Sequence, residues 1–404
     1  MTATERFLSY LDVDTTSDEA SESSPSTPNQ RAFAKRLVEE MRAMGIADAR
    51  LDAWGYVYGS IPATCEGMPA IGLIAHMDTS DAVPGGPIRA RIVHYEGGDI
   101  VLNEEKGIVL GARDFPSLGS EIGNDLIVTD GTTLLGCDDK AGVAEILTLA
   151  ERFLTGQGPR HGKLCIAFTP DEEIGRGAER FRLDELGADF GYTVDGGALG
   201  EVEYENFNAA DAHVRFCGRS MHPGSAKDKM LNASTLAMEF HAMLPVRQTP
   251  ENTDGYEGFF HLTAIRGCCD HAEAEYIVRD HDGEKFEQKK ERLAKIAAYL
   301  NEKYGEGTVT LTVRDGYRNM REKLQDHMEV VARARKAMEA CGLTPSHPPI
   351  RGGTDGATIT YMGMPCPNLP TGGCNFHSVY EYVSSQALEK MVDVLEAVVV
   401  GKES

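Results

Sequence analysis

The chain has 404 residues, 41% of them hydrophobic and 25% charged, with a formal net charge of −23. That length exceeds the size at which a single core stops growing, so two unequal domains are expected. So acidic a surface repels phosphate backbones and anionic lipid, and neither nucleic acid nor membrane is expected as a partner.

Nine scattered cysteines without a Cys-x-x-Cys pair indicate neither a disulfide framework nor a thiolate zinc site. The opening Met1-Thr2-Ala3-Thr4-Glu5-Arg6-Phe7 has no basic segment followed by an apolar one. No apolar run approaches bilayer length, so the expected location is cytoplasmic.

In chain order, Thr15 to Ser26 reads as an exposed, mobile loop rich in Ser, Thr and Glu. Thr27-Pro28-Asn29-Gln30 then announces a helix, with Thr27 as cap, Pro28 in the first turn and Gln30 completing a capping box. The helix is expected from about 28 to 44, closed by Gly45. Strands and turns follow from Ala47 to Asn103, with Ile71 to Ala75 the clearest buried strand. Lys140 to Leu154 is an amphipathic helix, and Leu164 to Phe168 and Gly191 to Val194 are buried strands. The alternation implies α/β architecture: a mixed, largely parallel sheet sandwiched by helices.

From about 208 to 318 the pattern becomes strand (Ala212 to Phe216), helix (Ala226 to Leu244), strands (Phe259 to Arg266, Glu273 to Arg279), helix (Gly283 to Tyr304) and strand (Thr308 to Arg314). This β-α-β-β-α-β order is ferredoxin-like α+β and reads as an inserted lid domain. The interrupted domain, 1–207 with 319–404, resumes with helices over Arg321 to Ala340 and Ser385 to Val399.

Five stretches supply candidate metal ligands where strand patterns break. His76 and Asp78 emerge on the same side of a strand end, which suits a ligand and the acceptor that orients it, or a plain structural hydrogen bond. Asp138 and Asp139 precede a helix, where a carboxylate can cap the N-terminus or bridge two cations. Asp171-Glu172-Glu173 follows a buried strand, at the sheet edge where open α/β folds place their sites, although an acidic run alone is ordinarily solvated. Asp195 ends another strand before two glycines, and His377 follows the glycine-bearing loop Thr371-Gly372-Gly373. Their recurrence at sheet-edge positions points to a hydrolase holding two divalent cations.

The motifs His76-x-Asp78, Gly136-x-Asp138-Asp139-Lys140 and Asp171-Glu172-Glu173 resemble those of the dizinc peptidases that include carboxypeptidase G, aminoacylase and succinyl-diaminopimelate desuccinylase. Arg351-Gly352-Gly353-Thr354-Asp355-Gly356, Leu369-Pro370-Thr371-Gly372-Gly373 and Asn375-Phe376-His377-Ser378 are similar to the peptidase T family of tripeptide aminopeptidases within that group. The resemblance implies one metal on His76 and Asp195, a second on Glu173 and His377, and Asp138 bridging both. It further implies that Asp78 orients His76, that Glu172 is the general base, and that His222 donates to the oxyanion. Arg279 and Arg351 match positions expected to hold the substrate carboxylate. His222-Pro223-Gly224 is also good turn sequence, and an arginine is commonly a surface residue. Cys137 departs from the family's usual alanine before the bridging aspartate.

The expectation is therefore hydrolysis of short peptides with a free N-terminus, using two zinc ions, with cobalt or manganese as substitutes. His222 would reach the metals by domain closure or from a second subunit of a homodimer. The alternative within the same group is another amide hydrolase: a dipeptidase, aminoacylase or carboxypeptidase.

Overall fold

Ile71–His76, Leu164–Thr169 and Phe190–Gly196 are short apolar runs buried over nearly their whole length, as strands covered on both faces must be. In the computed structural model, which describes residues 1–156 and 158–401, they form the parallel centre of a six-stranded sheet. The strand order is Arg50–Leu51, Val57–Ile61, Leu164–Thr169, Ile71–His76, Phe190–Gly196, Asn368–Pro370. The first two pairings are antiparallel and the other three parallel. The three central strands therefore end at one edge, and His76, Asp171 to Glu173 and Asp195 all leave from it.

Helices cover both faces. The Cys137–Leu154 helix packs on Ile71–His76 and against the helices Ala3–Tyr10 and Ser385–Val400. Phe7, Phe33, Leu37, Ile146, Leu388 and Leu395 join one continuous core there. On the other face Tyr56, Tyr58, Ile74, Ile359 and Met364 pack beneath the Asp355–Met362 helix. A second, antiparallel sheet runs Gly373–Cys374, Tyr382–Ser384, Asp125–Val128, Arg91–His94. It frames the loops that carry Asp138 and His377, a role not foreseen for these segments. All these elements belong to one compact unit, Met1–Tyr204 with Glu322–Pro348 and Thr354–Ser404.

The second unit comprises Glu205–Arg321 and Pro349–Gly353. Its antiparallel sheet has the order Phe259–Gly267, His271–Asp280, Asn208–Cys217, Val309–Asp315. Alternation along His271–Asp280 sends Ala272, Ala274, Tyr276 and Val278 into a core shared with Leu236, Phe240, Leu293 and Leu300 of two helices. This is the α+β arrangement expected of the insertion.

Several local expectations are corrected. Thr27 caps no helix: its hydroxyl donates to Thr16 O at 3.0 Å, and Gln30 turns instead to Asp171 and Ser26. The Thr15–Ser26 stretch is not uniformly exposed, because Thr15, Ser17 and Ser26 are buried where it docks on the first unit's core. The helix read from Ala226 begins at Ala233, where the Asn232 side chain accepts from Ser234 N and Thr235 N, and it ends at Ala242. Asp228, at φ 59°, already excludes a helix upstream of that cap. The helix read over Arg321 to Ala340 is two, Arg321–Leu324 and Met328–Ala340, separated by a non-helical His327. No helix among the described residues is long and apolar enough to cross a membrane.

One buried group stands apart from the sheet edge. Glu145, on the Cys137–Leu154 helix, is fully buried, and neither of its carboxylate oxygens has a hydrogen-bond partner among the described residues. Burial first, and then the Glu389 carboxylate, push its pKa well above the ordinary 4.5. The folded chain thus keeps a proton that the unfolded chain releases, so stability falls as pH rises above the unfolded value. Glu145→Gln should remove this slope. In urea titrations across pH 5 to 8, the variant should gain about 1 kcal/mol or more over the parent as pH rises; parallel profiles would refute the assignment.

Candidate metal centre

The shared sheet edge concentrates acidic groups around two imidazoles. His76 Nε2 lies 2.9 Å from Asp138 Oδ1 and 3.3 Å from Asp195 Oδ1. His377 Nε2 lies 3.1 Å from Asp138 Oδ2 and 2.9 Å from Glu173 Oε2. Asp138 therefore turns one oxygen to each histidine. All five residues expected as ligands come together in the first unit, although His377 is 301 positions after His76 in the sequence.

Backbone amides fix the surrounding carboxylates. Asp78 is wholly buried and accepts from Glu172 N at 3.0 Å and Glu173 N at 3.1 Å. The His76 ring meets it mainly through the backbone, with Nδ1 at 3.0 Å from Asp78 O and 3.4 Å from Oδ1. Asp139, also fully buried, accepts from His76 N at 3.0 Å and Gly142 N at 3.1 Å, and so ties the helix start to the strand end. Asp171 sits at φ 60° and turns away from the histidines, accepting from Ser26 N and Gln30 Nε2. Asn375 and His377 are also left-handed, both at φ 58°. Such backbone costs free energy and persists where neighbours hold it: here Ser378 Oγ donates to Asn375 O, and Asn375 Nδ2 donates to Tyr380 O.

The electrostatics follow from crowding. Burial raises the carboxyls of Glu172, well above its ordinary value, of Glu173, to about 7, and of Asp195, to about 6, and neighbouring carboxylates add to each. Burial opposes ionisation of Asp138 as well, but hydrogen bonds from His377 and His76 hold it below the usual carboxylate range. His377 is pushed up to about 11 by hydrogen bonds to Asp138 and then Glu173.

None of the described lysines or arginines forms an ion pair with Asp138, Glu173 or Asp195. Glu173 Oε1 is buried without a hydrogen-bond partner among the described residues. A cluster of carboxylates and imidazoles with no lysine or arginine paired to Asp138, Glu173 or Asp195 and an unpartnered buried oxygen suits divalent cations of the zinc type. Donor atoms of His76, Asp138 and Glu173 lie within 4.8 Å of one another, as do those of His76, Asp139 and Asp195. In the second set Asp139 already serves two amides.

The remaining expected site residues lie in the second unit. His222 is exposed, and its Nδ1 accepts from Gly224 N at 3.2 Å within a short turn. Arg279 donates to Ala210 O and Val278 O and lies over the Tyr317 ring. Arg351 belongs to this unit too, donating to Gly255 O, Glu257 O and Thr253 O and Oγ1. In this arrangement both guanidiniums bind backbone.

Sequence reasoning missed Glu381. It is buried and accepts from Leu135 N, Gly136 N and Asp138 N, and Cys137 packs its thiol against the same carboxylate. The available signal was a single acid between two tyrosines, four residues past His377 and at the start of an apolar strand.

Residues 204–308 match the peptidase dimerisation domain. The chain is 51% identical over 395 residues to peptidase T of Alkaliphilus oremlandii, with 97% of each chain covered. Among solved structures, aminopeptidase PepT from Bacillus cereus superposes with a TM-score of 0.76 at 24% identity, covering 98% of this chain and 97% of that one. A tripeptidase from Staphylococcus aureus gives 0.77 at 22%, with the same coverage. At these identities the two structures establish the shared fold.

Proposed function

The chain belongs to the peptidase T family, and from that premise we propose that it is a metal-dependent aminopeptidase releasing the N-terminal residue of tripeptides. The observation that carries the reading is the Asp138 carboxylate set between His76 and His377, one oxygen facing each imidazole. In this assignment His76 and Asp195 would hold one zinc ion, Glu173 and His377 would hold another, and Asp138 would serve both. Bound there, the ions would polarise the scissile carbonyl and lower the pKa of the attacking water.

The protein's own groups supply the proton transfers. Glu172 follows directly on the Asp78-anchored turn, and its raised pKa suits a group that takes a proton and later returns it. It removes the proton from the attacking water and delivers it to the leaving amine. Asp78 holds this turn through the amides of Glu172 and Glu173, and holds His76 through its own carbonyl. His222 donates to the developing oxyanion, and Arg279 and Arg351 receive the peptide carboxylate, for which a guanidinium fork is apt. For the arginines this requires exchanging their present backbone partners for substrate. The match to a dimerisation domain supports a homodimer.

Two experiments test the reading. Glu172→Gln should retain both metals, measured by elemental analysis, and lose at least about 100-fold in kcat, as expected for a general base. His222→Ala should lower kcat with metal content intact; a rate near the parent's for either variant removes that residue from the mechanism. The second is a panel of di-, tri- and tetrapeptides assayed with and without chelator. A free tripeptide should be cleaved, its N-acetyl form refused, and activity lost on chelation. Preferred cleavage of the acetylated peptide would instead indicate an aminoacylase-like enzyme.

A further inference from the structure

The proposed ligands Asp138 and His377 reach the centre from the non-helical first turn of the Cys137–Leu154 helix and from a separate loop. Asp138 follows the segment leading out of the strand Asp125–Val128, and His377 lies between the strands Gly373–Cys374 and Tyr382–Ser384. One side chain spans the two loops. Glu381 is carried four residues beyond His377, yet its carboxylate is spent on the other loop. Oε2 accepts from Leu135 N at 2.6 Å and Gly136 N at 2.8 Å; Oε1 accepts from Asp138 N at 3.2 Å and from Cys137 Sγ at 3.1 Å. The residue is only 2% exposed, so water does not compete for these bonds.

We infer that Glu381 is a positioning residue for the metal centre, clamping the Asp138 loop to the His377 loop so that Asp138 turns one oxygen to each histidine. This rests on the ligand assignment above and adds to it a group that touches neither metal nor substrate. Both oxygens of the clamp accept two donors each, which only a carboxylate provides. A glutamine places an NH₂ against two of them, and four donors then meet a single acceptor oxygen. Asp138 could then rotate or withdraw from between the imidazoles, and the site would lose its shared ligand. Cys137 adds one weak thiol donor to three backbone donors, so its contribution is the smallest of the four.

Zinc affinity, measured by competition with a chromogenic chelator, reads the clamp without reference to turnover. Glu381→Gln should weaken zinc binding by about 10–100-fold, the usual effect of removing a group that orients a metal ligand. At saturating zinc its kcat on a tripeptide should fall while KM changes little. Glu381→Asp, which keeps the carboxylate but shortens its reach, should fall between this variant and the parent, and Cys137→Ala should stay close to the parent. A purely structural role would lower the melting temperature and leave zinc affinity untouched. Parental zinc affinity in both folded Glu381 variants overturns the inference; if the glutamine variant does not fold, the aspartate variant decides alone. A parent that binds zinc tightly but cleaves no tripeptide would sink the proposed function, while the affinity ratio would still report on Glu381.

Discussion

The constraint on which the first unit depends is the burial of many carboxylates in one small volume. Asp78, Asp138, Asp139, Asp171, Glu172, Glu173, Asp195 and Glu381 gather near one sheet edge, and five of them come from two short acidic runs. Removing one such charge from water costs several kcal/mol unless it is paired or hydrogen-bonded. The fold meets that cost in two ways. Some carboxylates face the imidazoles and have no lysine or arginine opposite them, and these are the groups that suit cations. Asp78, Asp139, Asp171 and Glu381 accept main-chain amides instead.

The amide-bound carboxylates account for much of the local architecture. Asp78 gathers the amides of Glu172 and Glu173, Asp139 those of His76 and Gly142, Asp171 that of Ser26, and Glu381 those of Leu135, Gly136 and Asp138. Each spans segments distant in sequence, so the ligand loops are held to one another as well as to the sheet. A buried hydrogen bond to a charged group contributes about 1.5–3 kcal/mol. A set of such bonds is therefore enough to hold Asp171, whose carboxylate accepts from Ser26 N, in left-handed backbone that would otherwise be avoided.

What was legible in the sequence divides along physical lines. The buried strands around Ile74, Ile166 and Tyr192 announce themselves because hydrophobic runs of that length have few alternatives, and the ligands stand where those runs stop. The ferredoxin-like order of the second unit was readable for the same reason, from alternation and helix period. Local capping was not. Thr27 and Gln30 form good capping-box sequence, but the tertiary partners Thr16 and Asp171 outbid the helix for both side chains. Helix boundaries near Asn232 and His327 escaped likewise, since periodicity runs smoothly across a break that one capping side chain or one non-helical residue imposes. Glu381 was invisible because its significance lies entirely in donors some 245 residues earlier.

The same physics explains why acidic residues occur in adjacent pairs at this site. Neighbouring side chains diverge, so of two consecutive acids only one can face the imidazoles while the other is turned into the protein. At Asp138-Asp139 the first lies between the histidines and the second binds amides; at Asp171-Glu172-Glu173 the first binds amides and the third meets His377. A count of carboxylates in the motifs is therefore more than twice the number of ligands they supply. The surplus is needed because a ligand loop held only by its metal would be ordered only when loaded, whereas one fixed by buried carboxylate-to-amide bonds keeps its donors in place beforehand. The price is a site whose geometry hangs on residues that never touch the reaction, and Glu381, reaching the Asp138 loop from beside His377, is the clearest of them.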